Sequence, residues 1–223
     1  MLMSDSWYKV DNVAKVFLAT ASQRDPRVFR ISCTLNEEID PDTLNEALRS
    51  TAQEWPQFQV TLHRGLFWHY FESTDQLPTA QPETKAPCAP LYTPERRNKL
   101  IYRVTYFGAR INLEMFHAIT DGNGGLLYLK SIVRNYLALR HPGEMENVPS
   151  PNSASAGDMA QDSFRNFYEG TKRKKTAKKP KVYRPHGFLP YSQLQFFEGH
   201  LSSKQVLELS LIHISEPTRP LYI

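Results

Sequence analysis

A histidine, an aspartate and a glycine lie close together in the middle of the sequence, at His117, Asp121 and Gly122. The apolar segment before His117 predicts a β-strand, and the leucine-rich segment after Gly122 predicts a helix. The imidazole would then stand at the end of a buried strand, with the carboxylate at the start of a helix. This arrangement suits a general base, because tight backbone geometry would fix the ring.

Other roles for His117 stay open when only the residues are considered. A core histidine that happens to precede a turn is the simplest alternative. A metal site would need further ligands, and His63 and His69 are candidates only by residue type, so we expect no metal. A serine hydrolase would need a Gly-x-Ser-x-Gly elbow, which the sequence lacks. The glycines after Asp121 match neither the Walker A spacing nor the dinucleotide fingerprint.

Hydrophobic periodicity predicts the elements that would position these residues. The order of elements is strand, helix, four strands and a helix, which favours a mixed or antiparallel sheet with helices packed on it. Three helices are predicted. The first covers residues 8–19 with Asp11 as N-cap, and the second starts with Asp40 as N-cap and Pro41 in the first turn and ends at Trp55. The third covers about residues 124–139. The predicted strands cover residues 28–35, 58–63, 66–71, 100–107 and 110–116, with a two-residue turn at 64–65 and an irregular connection over 76–94.

Charge and cysteine content exclude some classes of function. The chain has 223 residues and a net charge of +4, but a cluster of lysines and arginines between Lys172 and Arg184 supplies that excess. The rest is mildly acidic, so we expect no nucleic-acid partner. Two cysteines do not form a disulfide framework. We see neither a signal peptide nor a transmembrane segment, and therefore expect a cytoplasmic protein.

Composition shifts predict four regions along the chain. Residues 1–142 hold the periodic elements and the histidine, and residues 143–192 read as a linker rich in proline and lysine with a short helix near 160–168. Residues 193–208 read as the start of a second domain, with a strand over 194–200. A capping box between Ser202 and Gln205 then opens a helix. Residues 209–223 form a tail.

The tail carries a resemblance of its own. Residues 209–219 resemble the translation of a transposase mosaic-end adapter used in sequencing libraries. This resemblance implies that the native sequence ends near Glu208 and that its C-terminal half is missing. We therefore exclude the tail from fold reasoning and assign no function to His213.

Residues 116–122 resemble the His-x-x-x-Asp-Gly motif of the chloramphenicol acetyltransferase-like superfamily. The stretch from about residue 8 to 208 is similar to the N-terminal half of these proteins, most closely the bacterial alcohol acetyltransferase-like members. Condensation domains of peptide synthetases belong to the same group. Many relatives carry two consecutive histidines, of which the second is catalytic. Phe116 stands in place of the first, and this difference argues against a condensation domain.

The resemblance implies an α+β fold of two similar halves around a channel, of which this chain holds the first. It implies that an acyl group, most simply acetyl, moves from an acyl-CoA co-substrate to a small alcohol. His117 would be the general base, and no cofactor would be bound permanently. Asp121 and Gly122 would be structural. Asp121 would pair with an arginine, for which Arg24, Arg27 and Arg30 are the candidates nearest in sequence.

Two alternatives accompany this interpretation. One is an amide-forming condensation domain that acts on carrier-bound substrates. The other is a non-catalytic interaction protein that has retained the fold. One half of a channel cannot enclose both substrates, so we expect the 223-residue chain alone to be inactive and to aggregate through an exposed apolar face. The acceptor, the acyl chain length and the oligomeric state stay open.

Overall fold

The computed structural model describes residues 7–65, 68–93, 96, 98–144, 148, 151 and 199–210. The chain divides into two compact units, residues 1–184 and 185–223. The strands of the first unit are β1 (Trp7–Lys9), β2 (Val28–Thr34), β3 (Val60–Arg64), β4 (His69–Ser73), β5 (Ala80–Pro82), β6 (Tyr102–Phe107) and β7 (Arg110–Phe116). The helices are α1 (Asn12–Thr20), α2 (Pro41–Glu54) and α3 (Gly122–Arg140) in the first unit, and α4 (Ser203–Ser210) in the second.

Two sheets organise the first unit. A four-stranded sheet has the order β2-β7-β6-β5, in which only β5 runs parallel to its neighbour β6. A three-stranded antiparallel sheet has the order β1-β4-β3. A single bridge between Thr61 and Leu100 connects β3 to the segment before β6. The expected mixed sheet with packed helices is therefore present.

Helices α2 and α3 pack together on one face of the four-stranded sheet. Asp40 caps α2 by accepting the Thr43 N–H at 2.9 Å, and Pro41 occupies the first turn, as predicted. The indole N–H of Trp55 donates to the Ser131 hydroxyl of α3 at 2.9 Å. The apolar face of α2 predicted from the sequence is buried throughout, at Leu44, Ala47, Leu48, Thr51 and Ala52.

Three local predictions were wrong, and tertiary contacts explain each. Tyr8 lies in β1 rather than in the first helix, because β1 pairs with β4. The hairpin register pairs Arg64 with His69, so four residues connect β3 and β4 instead of two. The connection over 76–94 contains β5, whose Pro82 is tolerated because β5 is an edge strand.

The second unit is described only over residues 199–210. The predicted capping box is confirmed, because the Gln205 N–H donates to the Ser202 hydroxyl at 3.1 Å and the Ser202 N–H donates to the Gln205 side chain at 3.4 Å. His200 is not in a strand, so the predicted end of strand 194–200 was wrong. The predicted helix near 160–168, the lysine-rich run and residues 211–223 lie outside the described residues. The linker boundaries and the origin of the tail stay predictions.

None of the described helices combines the length and the apolar composition that a bilayer crossing requires.

A buried charge network occupies the face of the four-stranded sheet opposite the helices. Leu113 and Met115 pack toward the helices, so Glu114 between them points the other way. Its side chain has no exposed surface and accepts hydrogen bonds from Arg30 on β2 and Arg103 on β6. The Cys88 N–H also donates to it at 2.8 Å. Glu114 therefore joins three strands and the segment that covers them.

We expect Glu114→Gln to lower the free energy of unfolding by about 3 kcal/mol, because it leaves two partly buried guanidinium groups without their shared carboxylate. Urea midpoints from pulse proteolysis would measure the loss, and a sub-micromolar protein concentration would suppress aggregation. Glu38→Gln is the matched control, since Glu38 is exposed. Equal midpoints for the two variants would contradict a structural role for the network.

Glu83 gives this network a pH dependence. Burial alone raises the pKa of Glu83, but hydrogen bonds from Arg30 and Arg110 outweigh it and hold the pKa below its ordinary value. A depressed carboxyl pKa stabilises the fold above the unfolded-state pKa, and that stability is lost as the pH falls through the folded-state pKa. We expect Glu83→Gln to be less stable than wild type at about pH 7 and to lose less stability than wild type on acidification to about pH 3. Urea midpoints at the two pH values measure both effects, and parallel acid losses would contradict the assignment.

Candidate functional site

His117 lies directly after the last residue of β7, at the point where the chain turns toward α3. Its backbone N–H donates to the Arg27 carbonyl at 2.8 Å, next to the last paired residues of β2 and β7, Val28 and Phe116. The Ile119 N–H then donates to the Phe116 carbonyl at 3.0 Å and closes the turn. The strand end predicted from the sequence is therefore confirmed, and the backbone of the histidine is anchored to the neighbouring strand.

Two aromatic side chains hold the imidazole ring. Phe17 of α1 stacks on it, with ring centroids 4.1 Å apart and planes 10° from parallel. Phe29 of β2 meets it edge to face at 5.1 Å. Atom Nδ1 of His117 is buried and has no hydrogen-bond partner among the described residues, although the residue as a whole is only partly buried. Buried polar atoms in native proteins are nearly always paired, so the unpaired Nδ1 of His117 is an exception to the usual pattern.

The residue that anchors His117 has an unusual backbone conformation. Arg27 has a φ of 55°, in the left-handed region that costs a non-glycine residue about 1 kcal/mol or more. Its side chain forms an ion pair with Asp25 at 3.2 Å on the protein surface. The Arg27 carbonyl accepts the His117 N–H, so the residue with the strained backbone is the one that anchors the histidine backbone.

Asp121 caps α3. Its Oδ1 atom accepts the Gly124 N–H at 2.8 Å, and its side chain forms no ion pair with any described residue. Of the three candidate arginine partners, Arg30 pairs with Glu83 and Glu114, Arg27 pairs with Asp25, and no ion pair between described residues joins Arg24 to Asp121. Within the described residues, Asp121 therefore supports the site by fixing the start of the helix rather than through an arginine.

Gly122, Gly124 and Gly125 differ in the space that an added side chain would find. A Cβ at Gly122 would meet nothing within 4 Å, and its φ is not in the positive range, so the expected steric need for glycine there is absent from the described structure. A Cβ at Gly124 would lie 2.0 Å from the Thr120 hydroxyl. A Cβ at Gly125 would lie 2.8 Å from the Phe29 ring. The close approach of α3 to β2 is therefore at Gly125, whereas the close contact at Gly124 is with the Thr120 side chain just before the helix.

The two histidines considered above as metal ligands, His63 and His69, lie in the three-stranded sheet. His63 bonds to Glu72 at 3.0 Å and stacks on Tyr70. His69 meets Tyr92 edge to face at 6.2 Å. Among the described residues, no group of three or more histidine, cysteine, aspartate and glutamate side chains could hold a metal ion.

Phe17 and Phe29 are the site residues that sequence reasoning missed. Both appear in the sequence as ordinary apolar positions of a predicted helix and a predicted strand. The only available signal was the position of β2 next to the histidine-bearing strand, and that pairing joins residues that are 76 to 88 positions apart.

Comparisons with known proteins extend this description. No protein-family model matches the sequence, and no curated protein matches it. Solved structures do match. The starter condensation domain of rhizomide synthetase RzmA, in an arginine-to-alanine variant in complex with C8-CoA, aligns with a TM-score of 0.50 and 11% identity over 60% of this chain and 36% of that chain.

Two further structures match with lower scores. Polyketide synthase associated protein 5 from Mycobacterium tuberculosis has a TM-score of 0.47 and 15% identity over 67% of this chain and 37% of that chain. TRI101 from F. graminearum, complexed with ethyl coenzyme A, has a TM-score of 0.43 and 8% identity over 60% of this chain and 39% of that chain. The sequence thus spans little more than a third of each of these structures.

The aligned 60% of the chain shares the fold of the corresponding 36% of that condensation domain. The α+β class expected from the chloramphenicol acetyltransferase-like resemblance is confirmed by the mixed sheet with its flanking helices.

A matched pair of substitutions tests how α3 supports the histidine. We expect Gly125→Ala to destabilise the protein by about 1–2 kcal/mol, because the added methyl group overpacks the Phe29 ring that contacts His117. Gly122→Ala should be neutral or slightly stabilising, since its methyl group meets open space and alanine favours helix. Urea unfolding of both variants measures the difference. A larger loss in Gly122→Ala would contradict the packing described here.

Proposed function

We propose that the intact protein is an acyltransferase that moves an acyl group, most simply acetyl, from acyl-CoA to a small alcohol with His117 as general base. The observation that carries this proposal is the half-buried imidazole of His117. Its backbone is anchored to Arg27, its ring is held by Phe17 and Phe29, and its buried Nδ1 has no partner among the described residues. A ring held in this way loses little conformational entropy when it aligns with a substrate.

The proposed reaction needs one proton acceptor and no covalent enzyme intermediate. The alcohol oxygen attacks the thioester carbonyl carbon while an imidazole nitrogen of His117 takes the hydroxyl proton. The carbon–oxygen bond forms, the carbon–sulfur bond breaks, and the imidazolium returns its proton to the coenzyme A thiolate. Because Nδ1 is buried and the residue is partly exposed, we assign proton transfer to the Nε2 edge of the ring.

The surrounding residues support the base without contacting substrate in this proposal. Asp121 fixes the first turn of α3, and Gly125 lets that turn approach Phe29. We propose that acyl-CoA is a co-substrate. We also propose that the intact protein has a further region, equivalent to the part of the matched condensation domain that this sequence does not cover, and that this region forms the second wall of the channel. The C8-CoA named for the starter condensation domain agrees with a donor linked to coenzyme A.

A condensation activity toward carrier-bound amines is the second candidate, favoured by the fold of the matched domain. Phe116 weighs against it. Its side chain is buried among Val10, Leu62 and Ile101, so it cannot act as the first histidine of a paired motif. Assays that offer an alcohol with acetyl-CoA or a carrier-bound amine with a carrier-bound acyl group separate the two activities.

His117→Ala tests the role of the base in the intact protein. We expect turnover of acetyl-CoA with a panel of alcohols to fall about 10²- to 10⁴-fold, because general-base assistance is lost. The matched control is His141→Ala at the other end of α3, where the imidazole pairs with Glu37 and should not affect turnover.

The urea midpoint of each variant should be measured beside its activity. A fall in turnover without a fall in stability supports proton transfer by His117. Equal turnover by wild type and His117→Ala would refute it. Absence of alcohol acylation in the wild type, with turnover of carrier-bound substrates, would favour the condensation activity. Acyl-CoA binding too weak to detect would favour a non-catalytic interaction protein.

A further inference from the structure

A cleft of about 460 Å³ lies between α1, the β3–β4 hairpin and the segment that ends at Thr93. Its walls include Leu18 and Ala21 at the end of α1, Pro90 and Tyr92 on the opposite side, and Phe116 at the end of β7. The volume is within the range of small-molecule sites, roughly 300–1,000 Å³. Apolar walls of this size can accept an aliphatic or aromatic body.

Arg64 and His69 add polarity to one side of this cleft. They face each other across the end of the hairpin, as paired residues of β3 and β4. Arg64 is exposed and forms no ion pair with any described residue. Ser22, Gln23 and Thr93 supply neutral polar groups to the wall. The cleft therefore combines apolar walls with one unpaired guanidinium group.

The charge of the cleft at neutral pH comes from Arg64. Burial, and to a lesser extent the charge of Arg64, lower the pKa of His69, so His69 is mainly neutral near pH 7. Arg64 is the only arginine or lysine among the described lining residues. A single cation matches a monoanion better than a phosphate dianion, and a guanidinium binds a carboxylate through two parallel hydrogen bonds.

We propose that this cleft binds a medium-chain organic carboxylate, with the carboxylate on Arg64 and the hydrocarbon body between Leu18, Ala21 and Tyr92. His117 is not among the described lining residues, although the preceding residue, Phe116, is. The imidazole of His117 packs between Phe17 and Phe29 instead. The site is therefore distinct from the proposed base, and it does not depend on the proposed acyl transfer.

Octanoate is the probe for this proposal, with octanamide as a neutral ligand of equal length and acetate as an anion without the chain. A ligand that binds only the native state raises stability according to its concentration and affinity. Urea midpoints of the 223-residue chain, measured by pulse proteolysis at matched ionic strength, then give an apparent affinity for each ligand. We expect octanoate to raise the midpoint, and octanamide and acetate to raise it much less.

Variants assign the binding to the cleft. Arg64→Gln should weaken octanoate binding about fivefold to tenfold, because one charge-assisted contact is lost at a partly solvated mouth. Arg49→Gln is the matched control, since Arg49 is exposed on α2 and does not line the cleft. Ala21→Phe should abolish binding by filling the cleft, and its ligand-free midpoint shows whether it still folds.

Three results would overturn the proposal. The first is no rise in the wild-type midpoint at millimolar octanoate. The second is an equal rise with octanamide, which would leave no role for the charge. The third is an equal response of Arg64→Gln and Arg49→Gln, which would place the octanoate elsewhere.

Discussion

The antiparallel pairing of β2 with β7 is the constraint on which the rest of the first unit depends. Seven residue pairs run in register from Val28 with Phe116 to Thr34 with Arg110. That register puts Arg30 opposite Glu114 and leaves the Arg27 carbonyl beside the His117 N–H. A shift of one residue would turn the side chains of one strand to the other face of the sheet, so the charge network and the histidine site could not both form.

The two faces of this sheet bury different kinds of side chain. One face buries the larger of the two described apolar clusters against α2 and α3. The other face buries Glu114, and such a charge is tolerable only because Arg30, Arg103 and a backbone N–H satisfy its oxygens. Removing one partner of such a network costs more free energy than forming the network contributes.

The candidate site lies where these elements end. β7 ends directly before His117, and β2 supplies Phe29. The residue before β2 is the strained Arg27, α1 supplies Phe17, and the capped α3 packs against Phe29 through Gly125. Each contact comes from a different element, so the position of the imidazole depends on the packing of the whole unit. The fit at Gly125 explains why glycine matters more there than at Gly122, where a side chain would face open space.

The sequence by itself determined the elements whose signals are local. The caps at Asp11, Asp40 and Ser202, the buried face of α2 and the strand that ends before His117 all follow from periodicity and from side chains that bond within three residues. The tertiary structure alone decided the pairing of β1 with β4, the parallel edge strand β5, the aromatic contacts of His117 and the cleft beside Phe116. These features join residues far apart in the chain, and a local pattern contains no information about which distant segment will pack against it.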